Sequence, residues 1–130
     1  MILDTSFLID LLHGDAGALA KAKNLDAQGL KALIPAPALF ELWRGVQLAT
    51  RGPEEASRVL SVLARYIVAP LDAAAARRAG EVDAMLIQAG TQIDPEDSMI
   101  AGIALSQGDG VLTRNTKHFS RVPGLPVETY

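Results

Sequence analysis

"MILDTSFLIDLLHG", residues 1–14, changes its hydrophobic period partway through. Ile2 and Leu3 read as a short buried strand that ends on an acid, Asp4. From Thr5 the apolar residues Phe7, Leu8, Leu11 and Leu12 fall on one side of a helix, and Gly14 is placed to stop it. Thr5 or Ser6 is the expected cap.

The alternation continues along the chain. A second helix is predicted in "AGALAKAKNL" (16–25) and a strand in "KALIPA" (31–36), ended by Pro35 and Pro37. Ala38 to Thr50 reads as a helix with Leu39, Leu42, Trp43 and Val46 at core spacing. Pro53, Glu54 and Glu55 open the next helix, "GPEEASRVLSVLARY". "IVAPLD" (67–72) is a strand and turn, and the Ala-rich stretch 73–90 a helix stopped by Gly90. "QIDPEDSMIAGIAL" (92–105) is a helix ending near Gly108; "GVLTRN" (110–115) is a strand, and "LPVETY" (125–130) an edge strand. Strands alternating with helices predict an α/β domain with a mostly parallel central sheet flanked by helices. With 130 residues and no linker or repeat, one domain over residues 1–130 is expected.

Composition narrows the function. There are no cysteines, which excludes a disulfide framework and thiolate chemistry. No apolar run approaches the roughly 20 residues of a membrane span. The N-terminus lacks a basic leader and holds Asp4 and Asp10 within its apolar run, so a cytoplasmic protein is expected. The net charge of −3 argues against binding nucleic acid by bulk charge, so any such contact falls to a local patch. Arg114, Lys117, His118 and Arg121 form one near the C-terminus, where a solvated loop is the competing reading.

In parallel α/β sheets, ligands bind at the carboxyl ends of strands. Asp4 follows the first strand there, and Thr113-Arg114-Asn115 the late one. Helix starts point to the same edge, which brings in Asp94 and Asp97. Each acid has a commoner structural role: Asp4 as a turn or cap residue, Glu41 on a helix surface, Asp94 and Asp97 as N-cap and returning acid around Pro95. Loss of an Asp94 cap would cost about 1 kcal/mol. Together the carboxylates repel unless a cation neutralises them. Mg²⁺ or Mn²⁺ suits oxygen ligands and assists attack on phosphate, so the cluster and nearby cations suggest phosphodiester hydrolysis.

"ILDTSFLIDLL", "FELWRG", "DSMIAGIAL" and "VLTRNTKHF" occur in that order. Together they resemble the PIN-domain nucleases, in particular the VapC-type toxins of bacterial toxin–antitoxin pairs, over residues 2–119. The resemblance implies a three-layer sandwich and a Mg²⁺-dependent endoribonuclease (Mn²⁺ is an alternative ion) that cleaves RNA by metal-activated water. It assigns the catalytic acids to Asp4, Glu41 and Asp97, with Asp4 and Asp97 on the metal. Asp97 is thereby chosen over Asp94, which is left as the helix cap or an outer-shell group, with Glu96 facing solvent. Thr5, Thr113 and Asn115 match supporting positions. His118 stands where many members carry a fourth acid, which puts a second metal site in question. Arg114 and Lys117 are RNA-backbone candidates on charge and position. The family also implies a homodimer and a small antitoxin whose other end binds operator DNA; Leu12, Phe40 and Trp43 are candidate groove residues for its tail. Two other classes remain open. A Mg²⁺-dependent phosphatase or phosphotransfer domain would use Asp4 or Asp72, although Asp4-Thr5-Ser6 lacks the second acid of a D-x-D pair. A degenerate RNA- or partner-binding module would keep the fold without the chemistry.

Overall fold

The structure, a computed structural model, describes residues 1–130. In chain order it contains β1 (Ile2–Leu3), α1 (Thr5–Leu12), α2 (Ala16–Ala27), β2 (Leu33–Pro35), α3 (Ala36–Leu48) and α4 (Gly52–Leu63). There follow β3 (Ile67–Ala69), α5 (Ala73–Gln88), α6 (Pro95–Ser106), β4 (Val111–Leu112), α7 (Thr116–Phe119) and β5 (Val127–Glu128).

The five strands form one parallel sheet in the order β3-β2-β1-β4-β5. Successive strand residues face opposite sides of a sheet. Ile2 and Leu3 are both fully buried, as are Val111 and Leu112, so helices cover both faces. This is the expected α/β sandwich. No helix is long and apolar enough to cross a membrane.

Gly14 and Gly90 end α1 and α5 as predicted, at φ +73° and +72°, where a side chain would be strained. Three details differ from the sequence reading. The helix expected from Ala38 begins at Ala36, because Pro37 sits in the first turn, where its missing N–H is not needed. Leu39 and Trp43 on that helix are only half-buried, while Leu42 and Val46 reach the core. The short helix α7 is an element the sequence did not predict; its anchor is Phe119, buried to 1 %.

The topology fixes where a site can form. The chain runs from β1 outward to β2 and β3, then returns to β4 on the other side of β1. Such a reversal leaves a crevice at the carboxyl ends of the two strands that flank it. Asp4 follows one of these strands and Thr113 the other.

Candidate active site

Asp4 is the N-cap of α1, with extended φ and ψ of −69° and 157°. The cap expected from Thr5 or Ser6 is thus supplied by the acid before them. Asp4 is 5 % exposed, and its Oδ2 is held from three directions. The Ser6 hydroxyl donates to it at 2.7 Å, the Thr113 hydroxyl at 2.8 Å and the Ser6 amide at 3.4 Å. The backbone amides of Arg114 and Asn115 donate in turn to the Ser6 and Thr113 oxygens, at 3.1 and 2.9 Å. Both hydroxyl protons are thereby directed at Oδ2, while Oδ1 has no protein donor. Ser6 went unnoticed in the sequence as a site residue; the signal was the i, i+2 spacing that places a hydroxyl beside an Asp N-cap.

Thr5 serves a different acid. Its hydroxyl, one residue further round α1, donates to Glu41 Oε1 at 2.8 Å. Glu41 lies on α3, half-buried, with Arg44 3.8 Å from its other oxygen. Burial raises its pKa most; the charges of Asp4, Asp97 and Glu96 raise it further, and the Thr5 bond opposes the rise. Glu96 is half-buried and close enough to act on Glu41, not the solvent-facing residue expected.

Asp97, in the first turn of α6, also titrates above its usual range. Burial is the main cause and Asp4 and Asp94 add to it, against a bond from His118. His118 Nδ1 lies 3.0 Å from Asp97 Oδ2. Asp94 occupies the N-cap of α6 with suitable extended backbone, yet its side chain makes no capping bond. The expected cap is therefore one of position only, and its removal costs α6 no side-chain hydrogen bond. Asp94, Asp97 and His118 instead bring their ligand atoms within 4.8 Å of one another.

The remaining candidates separate. Thr113 is fully buried in the Asp4 network, and Asn115 is exposed at the start of α7 without a side-chain cap. Arg114 is not a free cation: Asp10 Oδ1 takes its guanidinium at 2.6 Å, and Asp10 Oδ2 accepts the Tyr130 hydroxyl at 2.5 Å. Lys117 is exposed with no ion-pair partner. Arg121 donates to the Gln92 carbonyl, so the basic patch is mostly engaged. Leu12 lines a cleft with Ile9, Leu42 and Glu41, whereas Phe40 lines another with Pro37, Leu71 and Met99. Asp72 caps α5 by accepting from the Ala75 amide at 2.9 Å.

Three acids thus lie together at the sheet switch point, coupled through charge, with Arg44 and His118 the basic side chains beside them. An oxygen-rich set with a free Asp4 Oδ1 suits a hard divalent cation. The crowding carries a pH signature. A carboxyl whose pKa is higher in the folded chain favours the fold below its unfolded value, and that contribution is lost as pH rises through the folded value. The ion-free protein should lose stability through Glu41 and Asp97 between acid and neutral pH, and Glu41→Gln should flatten the profile. Thermal unfolding in chelator from about pH 4 to 8 tests this; parallel profiles for wild type and variant would refute it.

Comparison with known proteins places the chain in a family. The PIN domain family model matches residues 1–125. The tRNA(fMet)-specific endonuclease VapC of Shigella flexneri is 33% identical over 129 residues, covering 99% of this chain and 96% of the relative. VapBC2 of Rickettsia felis bound to a promoter DNA fragment superposes with a TM-score of 0.91 at 26% identity, covering 99% of this chain and 97% of that one. DNA-bound VapBC of Salmonella typhimurium gives 0.89 at 30% identity, covering 98% and 96%. The chain belongs to the PIN-domain family, as a member of its VapC type.

Proposed function

We propose that this chain is a divalent-metal-dependent endoribonuclease and the toxin of a toxin–antitoxin pair. One observation carries the reading: Asp4, Glu41 and Asp97 converge where the sheet reverses, and their mutual charge is left for a cation to neutralise. Asp4 through Oδ1, and Asp97, are the residues that hold the ion. Bound there, Mg²⁺ or Mn²⁺ supplies charge neutralisation and Lewis-acid polarisation at a phosphodiester.

The chain's own residues do the rest. Ser6 and Thr113 fix the Asp4 carboxylate so that one oxygen faces the crevice. Thr5 fixes Glu41 in the same way. With its pKa raised by burial, Glu41 is suited to take a proton from the attacking water. Asn115, exposed beside the crevice, is placed to orient that water or a phosphate oxygen. Lys117 is the free cation for the RNA backbone; Arg114 serves only if a phosphate displaces Asp10.

A transfer RNA is the first substrate to assay, since the Shigella and Salmonella relatives are tRNA(fMet)-specific by name. The partner is a VapB-like antitoxin linked to DNA, as in the promoter-bound Rickettsia and DNA-bound Salmonella complexes, and two copies of the chain are expected in the assembly. Cleavage of transfer RNA should stop in excess chelator and return on adding Mg²⁺ or Mn²⁺. Undiminished cleavage in chelator would remove the metal from the mechanism.

A further inference from the structure

We propose that the cleft between the starts of α3 and α6 is a nucleobase subsite, in which the Phe40 ring stacks an unpaired base next to the bond to be cut. The proposal rests on the nuclease reading for the identity of its ligand.

The cleft opens beside the acid cluster and is built from the same two helices. Consecutive residues divide between the two places. On α3, Phe40 lines the cleft and Glu41 joins the acids; on α6, Glu96 lines the cleft and Asp97 joins the acids. Ala36, Pro37, Leu71 and Met99 complete the wall, around a volume of about 430 Å³. Small-ligand sites span roughly 300 to 1,000 Å³. Consecutive residues are about 3.8 Å apart along the backbone, so a nucleotide whose phosphate lies at the acids has a base within reach of the cleft.

A second observation concerns Phe40 itself. The chain has three phenylalanines. Phe7 and Phe119 are buried to 1 % or less, whereas Phe40 is 55 % exposed. The Arg44 guanidinium carbon lies 5.2 Å from the centroid of the Phe40 ring, and Arg44 Nη2 lies 3.8 Å from Glu41 Oε2. Aromatic rings and guanidinium planes are the groups on which proteins stack single-stranded bases. Because it touches both Phe40 and Glu41, Arg44 is placed for the phosphate that joins the stacked base to the acid site.

Charge selects the part of the nucleotide that enters. Glu96 is the charged residue of the cleft wall, and an ionised carboxylate accepts hydrogen bonds but donates none. It repels phosphate and accepts the N–H groups of an uncharged base. A base that stacks on Phe40 has left its own helix, so the substrate is single-stranded at this point. A second copy of the chain is the competing occupant. Six residues line the cleft, against the roughly 20 to 30 a side of a stable protein interface, whose core is poor in charge.

A short single-stranded RNA with 2-aminopurine at its centre, bound to the full chain in excess chelator, tests the subsite by fluorescence and anisotropy. The wild type is expected to quench the 2-aminopurine on binding. Phe40→Ala should abolish the quenching and weaken binding by about tenfold; Phe40→Trp should restore both. With an abasic residue in place of the 2-aminopurine, or with the complementary strand annealed, wild type and Phe40→Ala should bind alike. In cleavage of transfer RNA, Phe40→Ala should raise KM by a similar factor. Circular dichroism confirms that each variant is folded, and sedimentation reports its oligomeric state. Unquenched 2-aminopurine in the bound wild type, or equal affinity of wild type and Phe40→Ala, overturns the subsite. A dimer that Phe40→Ala splits while RNA affinity holds gives the face to a second copy. Phe40-dependent quenching without RNA cleavage on adding Mg²⁺ overturns the nuclease reading alone.

Discussion

Asp97→Asn is expected to lower RNA cleavage by about a thousandfold or more, the equivalent of roughly 4 kcal/mol of transition-state stabilisation, without lowering the melting temperature. The two effects separate for a physical reason. Asparagine keeps the shape of the side chain and a partner for His118, so α6 and the contact at 3.0 Å persist. It removes one negative charge from a site where burial, Asp4 and Asp94 already oppose the charged form. The ion-free variant should therefore be as stable at neutral pH as the wild type, or more so. Asp4→Asn should lose as much activity but some stability as well, because Asp4 is buried and its Oδ2 ties Ser6 on α1 to Thr113 after β4. Gel assays on transfer RNA with matched thermal melts decide the matter. Wild-type cleavage by Asp97→Asn would sink the nuclease reading; a shared loss of activity and of fold would make Asp97 a structural residue.

Much of the fold was legible because the signals were local. The change of period at Asp4, the apolar face of α1, and the stops at Gly14 and Gly90 each sit within one element. What escaped depended on neighbours distant in sequence. The N-terminal residues of α7 carry no apolar pattern; only the burial of Phe119 explains that helix. The two aspartates at helix starts show the same limit more sharply. Asp4 and Asp94 have the same residue type, the same cap position and similar backbone angles, yet one side chain bonds its helix and the other does not. Sequence places an N-cap; it does not show whether the side chain makes the bond.

The candidate site divides along the same line. Asp4 was placed by the strand-end rule, and Asp97 was preferred over Asp94 by resemblance to a family motif. Glu41 had no local signal, since an acid on an amphipathic helix looks like surface. Its place beside the acid cluster is visible only from Thr5 and from the charges that crowd it. Ser6 was seen only as a possible cap, and the Asp10 bridge between Arg114 and Tyr130 joins residues far apart in the chain. Charge and position alone made Arg114 a candidate for RNA; the ion pair makes Lys117 the better one.

Gly102→Ala is expected to destabilise the protein by about 3 kcal/mol, a drop in melting temperature of roughly 10 °C for a chain of this size. By propensity alone the change should help, since alanine is better than glycine inside a helix by about 1 kcal/mol. Space decides otherwise. A Cβ on Gly102 would lie 2.6 Å from the Ala75 carbonyl oxygen, 2.6 Å from the Ala79 amide nitrogen and 2.7 Å from the Ala79 Cβ. Two of these are backbone atoms of α5, which cannot rotate aside, so the helices must separate. α5 and α6 form the most extensively packed helix pair in the chain. Gly80→Ala on α5 is the control, because a Cβ there meets nothing within 4 Å; it should stabilise by about 0.5 to 1 kcal/mol. Equal effects from the two substitutions would refute the close approach. The consequence reaches the site, because Gly102 and Asp97 share α6. A helix pushed away from α5 carries Asp97 out of register with Asp4, which is anchored separately to β1 and β4. Cleavage measured well below the lowered melting temperature should therefore still fall. Full activity in folded Gly102→Ala would mean that the α5–α6 contact supports the fold without setting the position of Asp97.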